Sequence, residues 1–346
     1  MILSLHLSRS VLVRILAVMA ALAGLALALD LVESASKVLG RDDGGILRYL
    51  MLRTPLILAA VAPVALIVGP VLTFLALSSR SEFTIYRASG ITTYRVLLSL
   101  LPLAIVLGGL MFVMNDRVVP TMEGRLLTWL KAKNIASAGA FWAHTRNGVI
   151  RAQASSPRGD ILVGLDVFET DPQGLLTARI TARAARFEDG VWRLEGAQRL
   201  IPGKGAPTDA SGNLWSTPLS PANVRALGAP GRKVGGDTAG KVLEGDWAGN
   251  RADSFYEMRV LRGYASVLAP ALMILLAAPA AFGMRRTAGF GRSAAWAVAL
   301  GFGYLLVDGM MSALGETGAL PPVLAAFGAT GIFSALGLWA LVTLEE

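Results

Sequence analysis

The sequence predicts a membrane α-helical bundle of six transmembrane helices, interrupted by an inserted antiparallel β domain. Three observations predict this class. Hydrophobic residues make up 54% of the 346 residues and charged residues only 16%, against roughly 25% charged residues in soluble domains. Long apolar segments occur in two groups of three. Between the two groups, apolar and polar residues alternate with the period of a β-strand.

Six segments are long and apolar enough to cross a bilayer. A spanning helix takes about 20 residues, because each unpaired backbone amide in hydrocarbon costs several kcal/mol and a helix pairs them internally. The segments are residues 11–29, 55–77, 96–114, 264–284, 293–314 and 320–344. The first segment ends in Ala26-Leu27-Ala28, so a cleaved signal peptide is its alternative interpretation. Six spans form the more coherent set.

Lysine and arginine in the short connections predict the orientation. One side of the membrane would hold Arg9, Arg14, Arg80, Arg87, Arg95, Arg285, Arg286 and Arg292. The other side would hold Lys37, Arg41, Arg48 and Arg53. Eight basic residues against four favour both termini in the cytoplasm. The long segment between spans three and four, roughly residues 115–263, then lies outside the cytoplasm.

That segment has the pattern of an antiparallel sheet. Residues 161–170 and 175–186 alternate with period two, so that Ala178, Ile180 and Ala182 would share one face. Turn residues at 171–174 join these two strands, and turn residues at 189–190 join the second to a third strand at 191–200. Residues 119–135, before the strands, are predicted to be helical. Residues 202–249 are rich in Gly, Pro, Ser and Asp and are predicted to form short strands separated by loops.

The segment RSEFTIYRASGITTYRV, residues 80–96, is predicted to form a short helix between spans two and three. Ser81 can cap it, and Glu82 in the first turn suits the positive end of the helix dipole. Gly90 can take the left-handed conformation that ends a helix. Two interpretations follow from these residues. One is an interfacial helix with aromatic side chains at headgroup level. The other is a docking helix for a cytoplasmic protein.

Composition excludes several other kinds of site. The chain has no cysteine and two histidines, His6 and His144, which excludes thiolate metal sites and disulfides and argues against a histidine metal site or a catalytic triad. The formal charge of +8 comes from scattered residues, so nucleic-acid binding is not predicted. No G-x-x-x-x-G-K-[ST] loop is present, so we expect no ATP bound by this chain and no other cofactor.

The string SRSEFTIYRASG resembles the coupling-helix motif of the lipopolysaccharide-export permeases LptF and LptG. Phe141-Trp142-Ala143 with Val149-Ile150, and Val191-Trp192-Arg193-Leu194, resemble strands of the β domain in that family. Leu306-Val307-Asp308 followed by Leu320-Pro321-Pro322 resembles the LptG member in particular. Six spans interrupted after the third by a β domain also match the family layout. The resemblance covers nearly the whole chain and favours the docking interpretation of residues 80–96.

The resemblance implies a noncatalytic permease subunit of an ABC-type lipopolysaccharide transporter in a Gram-negative inner membrane. Helices one to three would occupy residues 1–114, with the coupling helix at 81–90. A periplasmic β-jellyroll-like domain would occupy 115–259, and helices four to six 260–346. The implied partners are a second permease LptF, the dimeric cytoplasmic ATPase LptB that binds the ATP, LptC, an LptA-type periplasmic bridge, lipopolysaccharide and membrane lipids. Spans one and five would form a lateral gate toward the second permease.

Functional residues also follow from the resemblance. Glu82 falls on the acidic position that engages the ATPase, and the coupling set comprises Glu82, Phe83, Tyr86, Arg87, Ser89 and Gly90. Basic residues near the outer membrane surface suit substrate phosphates, and the candidates are Lys37, Arg41, Arg125, Lys131 and Lys133. At the end of the first span, Asp30 and Glu33 stand where the family has basic residues, and Lys37 and Arg41 follow later. After the third span, Arg125, Lys131 and Lys133 are offset from the family positions. An ordinary solvated charge is therefore the alternative for each.

Asp308 lies toward the outer end of span five, where a carboxylate in hydrocarbon is costly. It either reaches the interface, the favoured interpretation, or faces a polar interior. Two other classes of function compete with transport. An intramembrane lipid-modifying enzyme would need paired titratable groups, and the predicted spans offer only Asp308 and Arg14. A membrane-anchored envelope sensor would use the β domain to bind envelope ligands.

Overall fold

The computed structural model describes residues 2–38, 45–79, 82–90, 92–131, 140–145, 148–156, 158–215, 217–227, 233–281 and 289–345. Within these ranges, six helices have the length and hydropathy of membrane spans, which confirms the predicted six-helix class. They are Ser4–Ser36, Gly45–Ser79, Tyr94–Leu130, Asp253–Ala280, Ser293–Glu316 and Pro322–Thr343.

The helical elements follow the two predicted groups of three spans. The first group comprises α1 (Ile2–Val38), α2 (Gly45–Ser79), the short α3 (Glu82–Ala88), α4 (Thr93–Val113), a π-helical turn (Met114–Val118) and α5 (Val119–Lys131). Two short helices, α6 (Pro221–Leu227) and α7 (Gly236–Leu243), lie between the two groups in the chain. The second group comprises α8 (Asp253–Ala277), a 3₁₀ turn (Ala278–Ala281), α9 (Gly289–Glu316) and α10 (Pro322–Glu345).

Several helices begin earlier or end later than their apolar segments. The helix α2 starts at Gly45 rather than at residue 55, and Pro55, Pro63 and Pro70 all lie inside it. Prolines are tolerated in membrane helices because neighbouring helices re-satisfy the freed backbone groups. Span three and the predicted helix at 119–135 form one continuous helical run, because the π-helical turn joins α4 to α5 without a loop. Residues 132–135 lie outside the described residues.

The described chain groups into two compact units. One unit contains Met1–Glu123 and Met258–Glu346, and the other contains Gly124–Glu257. The first, which we call the membrane unit, has a core formed by side chains from all six long helices, among them Val11, Phe74, Leu100, Met273, Tyr304 and Phe333. Glycines allow close approach between these helices. A β-carbon at Gly69 on α2 would lie 2.5 Å from Cγ1 of Ile15 on α1.

The second unit, the insert, contains one antiparallel sheet. Its strands are β1 (Phe141–Thr145), β2 (Gly148–Ser155), β3 (Ile161–Thr170), β4 (Leu176–Glu188), β5 (Val191–Glu195), β6 (Gln198–Leu200), β7 (Thr208–Asp209) and β8 (Leu214–Trp215). The order is β1-β2-β3-β4-β5-β8, while β6 pairs with β4 and β7. The predicted strand at 191–200 is divided into β5 and β6, because Gly196 adopts a φ of 57° between them.

The predicted turns and faces of the sheet are confirmed. Asp171 closes the β3–β4 turn, where its Oδ1 accepts hydrogen bonds from the backbone N–H groups of Gln173 and Leu175 at 3.0 and 2.8 Å. Asp189 and Gly190 both have positive φ, 50° and 86°, as the central residues of a type I′ hairpin turn do. Ala178, Ile180 and Ala182 are buried together on the inner face.

The segment 202–249 differs from its prediction, because two short helices form there in addition to β7 and β8. Ser220 Oγ accepts a hydrogen bond from the N–H of Asn223 at 3.2 Å, and Pro221 occupies the first position of α6. A serine followed by a proline is a helix-start signal. In this segment the many Gly, Pro, Ser and Asp residues favoured a prediction of loops and short strands instead. The Asn223 amide then pairs with both the N–H and the carbonyl of Ala248, at 3.1 and 3.0 Å, and so holds α6 to the chain before α8.

Trp192 is the largest side chain in the core of the insert. It is 1% exposed, and its Nε1 donates a hydrogen bond of 2.6 Å to the carbonyl of Leu219. We expect Trp192→Ala to destabilise the insert by about 3–5 kcal/mol, because a large cavity and an unpaired carbonyl remain. The midpoint of protease susceptibility on heating, measured on the full-length protein in detergent, checks this.

Trp142 provides the matched control for this prediction. It lies on β1 of the same sheet but is 50% exposed, so Trp142→Ala is expected to change the midpoint much less. Equal losses for both variants would contradict the role assigned to Trp192.

Candidate functional site

The short helix α3 forms where residues 80–96 predicted it. It covers Glu82–Ala88, with Glu82 in the first turn, and the chain turns at Gly90, whose φ is 76°. The N–H and the Oγ of Ser89 both bond to the carbonyl of Ile85, at 3.0 and 2.9 Å. Gly90 therefore ends the helix in the left-handed conformation, as predicted. Ser81, the predicted cap, lies outside the described residues.

The helix α3 has one face directed toward the membrane helices and one face exposed. Tyr86 is half-buried and packs against the core of the membrane unit. Burial, followed by the negative charge of Glu82, raises the pKa of the Tyr86 hydroxyl. Ile85 is 60% exposed, and Ala88 and Ser89 are exposed as well. Part of the Tyr86 ring is therefore engaged within the chain, and the exposed face carries Ile85, Ala88 and Ser89.

The remaining predicted coupling residues are described to different extents. Glu82 is half-buried and interacts with other groups of the chain. The backbone of Phe83 and Arg87 belongs to α3, but their side chains lie outside the described part of the structure. Their contribution to a docking surface stays a prediction.

The five candidate phosphate ligands are only partly described. Arg125 is exposed on α5. Lys37 lies at the end of α1 and Lys131 at the end of α5, with side chains outside the described part. Arg41 and Lys133 lie outside the described residues altogether. Their role as ligands stays a prediction.

A polar cluster that no local sequence pattern predicts joins α1 to α2. Asp30 on α1 accepts hydrogen bonds from Arg53 on α2, with Nε at 2.9 Å from Oδ2 and Nη2 at 2.5 Å from Oδ1. The Tyr49 hydroxyl lies 2.5 Å from Asp30 Oδ2 and 2.9 Å from Ser34 Oγ. The acidic residue that departs from the family pattern thus has a partner on the next helix. No local pattern reveals this pair, because its members are 23 residues apart.

A second ion pair joins α8 to α9. Arg262 Nη2 lies 3.1 Å from Asp308 Oδ2, and the Asp308 side chain is 19% exposed. Of the two alternatives for Asp308, the structure supports a polar interior rather than the favoured interface. The pair was missed because the predicted fourth span began at Tyr264, whereas α8 begins at Asp253 and brings Arg262 into the span.

The π-helical turn receives a contact from the same helix α8. Arg259 Nη2 donates a hydrogen bond of 3.3 Å to the carbonyl of Asn115. A π-turn shifts the backbone bonding from i→i+4 to i→i+5 and is often found at functional sites. The two arginines of α8 therefore contact both α9 and the junction between α4 and α5.

Metal binding receives no support from the described part of the chain. Among those residues, no three or more His, Asp or Glu side chains lie close enough together to hold an ion. The titratable groups in the membrane unit instead form pairs such as Asp30 with Arg53 and Arg262 with Asp308. Such pairs join helices and leave the carboxylates engaged with arginine.

These features define a multi-pass membrane protein whose six long helices are interrupted, after the third, by an antiparallel β insert. The family model of the lipopolysaccharide export system permease LptF/LptG matches residues 5–343. The chain therefore belongs to the LptF/LptG family and is a multi-pass inner-membrane permease component of the lipopolysaccharide export system. The matching family model covers both LptF and LptG. No curated protein matches the chain.

Proposed function

We propose that this chain is the LptG-type, noncatalytic transmembrane subunit of an ABC-type lipopolysaccharide transporter. Both termini and α3 face the cytoplasm, and the insert is a periplasmic β-jellyroll-like domain. The partners are a second permease LptF, the dimeric ATPase LptB, LptC and an LptA-type bridge. The chain takes lipopolysaccharide from the inner membrane and passes it to the periplasmic bridge, with ATP bound and hydrolysed by the ATPase alone.

The packing of α3 is the observation that carries this proposal. A seven-residue helix is too short to be stable by itself, so its position depends on contacts such as that of Tyr86 with the membrane core. A force applied to its exposed face is transmitted to α2 and α4, because packed helices move as rigid bodies rather than by continuous bending. Glu82, Phe83, Tyr86, Arg87, Ser89 and Gly90 form the proposed coupling element.

We propose a substrate path from the same family assignment. The helices α1 and α9 form the lateral gate toward the second permease. Basic side chains near the outer surface hold the phosphates of the substrate, and Lys37, Arg41, Arg125, Lys131 and Lys133 are the proposed ligands. A guanidinium or ammonium group is the appropriate chemistry for a phosphate, and the exposed position of Arg125 on α5 supports its assignment.

Reversing the charge of Glu82 tests the coupling proposal. We expect Glu82→Lys to weaken copurification of the ATPase by about tenfold or more, because a charge pair at an interface becomes a repulsion. Ala88→Trp is expected to act similarly, since it places a large side chain on the exposed face of α3. The amount of ATPase that copurifies with tagged full-length protein, expressed with its partners, is the measurement.

Glu188→Lys is the matched control for Glu82→Lys. Glu188 is an exposed acidic residue of the insert, paired with Arg193 at 3.1 Å, and its reversal should leave ATPase association unchanged. If Glu82→Lys and Ala88→Trp both retain the ATPase at the level of the unmodified chain, α3 is not the coupling element.

A further inference from the structure

A groove runs along the membrane unit between α4, α8 and α10. Its volume is about 280 Å³. It extends on α4 from Tyr94 to Ala104 and is completed by Ala271 and Leu275 of α8 and by Leu338 and Leu341 of α10. No segment of the described chain fills it.

The residues that line the groove favour a hydrocarbon ligand. Apart from Tyr94, the residues that line it are alanine, isoleucine and leucine. A polar ligand would lose its hydrogen bonds to water in such a groove without gaining others. The three helices are all membrane spans, so lipid is the surrounding solvent.

The dimensions of the groove match one lipid chain in one leaflet. From Tyr94 to Ala104 the helix rises about 15 Å at 1.5 Å per residue. This is half of the roughly 30 Å hydrocarbon core of a bilayer. A packed helix is about 10 Å across, so a groove of 280 Å³ is too small for a partner helix but accepts part of an acyl chain.

A basic residue, Arg95, follows the groove residue Tyr94 at the start of α4. Tyr94, at the start of the span, is 39% exposed, and tyrosine is enriched at the membrane–water interface. Arg95 is exposed. It stands three residues before Leu98, which lines the groove. Residues three apart on a helix are neighbours, so the side chains of Arg95 and Leu98 share a face of α4. A guanidinium at this level suits a phosphate that carries a net negative charge.

We propose that the groove binds one acyl chain of an anionic phospholipid whose headgroup is held by Arg95. The site is separate from the proposed substrate path, because its lining comes from α4, α8 and α10, whereas the proposed lateral gate is formed by α1 and α9. Its assignment to the cytoplasmic leaflet rests on the proposed orientation, whereas the binding itself does not. The lipid would contact α4, α8 and α10 together and so stabilise their packing. α4 is the helix that directly follows the proposed coupling element in the chain.

Photolabelling tests the proposal without ATPase or lipopolysaccharide. The full-length protein is reconstituted in nanodiscs that contain phosphatidylglycerol or phosphatidylcholine with a diazirine in one acyl chain, and labelled peptides are identified by mass spectrometry. We expect phosphatidylglycerol to label residues within 94–104, 271–275 and 338–341 more strongly than phosphatidylcholine does. Equal labelling of these peptides by the two lipids would overturn the headgroup assignment.

Two variants and two matched controls sharpen the test. The larger side chain of Ala271→Leu would occupy part of the groove. Labelling should fall about fourfold or more, which is the effect expected when one methylene group of the acyl chain is no longer buried. Arg95→Gln should remove the preference for phosphatidylglycerol but leave labelling by phosphatidylcholine. Ala335→Leu, at an exposed alanine of α10, and Arg48→Gln, at an exposed arginine of α2, should change neither.

Two results would overturn the proposal. One is unchanged labelling of the groove in Ala271→Leu. The other is loss of labelling whenever a second permease is present, since a protein surface would then occupy the groove. Neither result bears on Glu82 or on ATPase copurification, so a failure here is distinguishable from failure of the proposed transport function.

Discussion

Replacing Arg262 with leucine is expected to destabilise the membrane unit by about 2.5–3.5 kcal/mol, the cost of an unpaired carboxylate within a span. The loss arises because Asp308, whose side chain is 19% exposed and 3.1 Å from Arg262, remains without its partner. Asp308→Leu should likewise be destabilising, because it leaves Arg262 without its carboxylate. Unfolding of the full-length protein by titrated SDS in mixed micelles measures both effects.

The double variant measures the contribution of the ion pair to stability apart from the contributions of Arg262 and Asp308 individually. Arg262→Leu combined with Asp308→Leu should recover most of the lost stability, because replacing a whole buried pair by apolar side chains is often neutral. The exchanged pair, Arg262→Asp with Asp308→Arg, should recover part of it. If the losses of the two single variants simply add in the double variant, the 3.1 Å contact does not couple α8 to α9.

Replacing Gly108 with leucine is expected to prevent α4 from packing against α8. A β-carbon at Gly108 would overlap the carbonyl oxygen of Val267, and a backbone atom cannot move aside as a flexible side chain can. Overpacking within a core costs about 1–3 kcal/mol, and more where the backbone must shift. We expect a loss of about 3 kcal/mol or more, measured by the same SDS titration and by the fraction of monodisperse protein after purification.

The neighbouring glycine provides the control. A β-carbon at Gly109 would meet no atom within 4 Å, so Gly109→Leu should fold and purify as the unmodified chain does. The two substitutions are identical in helix propensity and differ only in the face of α4 on which they stand. An equal loss of stability in both variants would show that the contact between α4 and α8 is not the cause.

The elements that local sequence determines were predicted well. Six apolar runs became six helices because hydrocarbon requires internal pairing of the backbone wherever the chain crosses it. The α3 helix could be predicted from Glu82 and Gly90, which act within their own turns. The β3–β4 turn could be predicted from Asp171, whose carboxylate bonds to residues two and four positions away.

The features that depend on distant residues were not predictable in this way. Asp30 is paired with Arg53 and Asp308 with Arg262, and the partners stand 23 and 46 residues apart. Hydropathy places the ends of a span where polar residues begin, yet paired polar residues extend α1, α2 and α8 beyond those points. The groove could not be foreseen either, since it needs the packing of α4, α8 and α10.

The π-helical turn at Met114–Val118 has a consequence for the two helices that it joins. One extra residue in a helical turn rotates everything beyond it by about 100°, since an α-helix has 3.6 residues per turn. Residues 96–113 of α4 are apolar except for Ser99, whereas α5 buries Val119, Leu126 and Trp129 and exposes Arg125 and Thr128. The π-helical turn therefore joins an almost uniformly apolar helix to an amphipathic one within a single helical run.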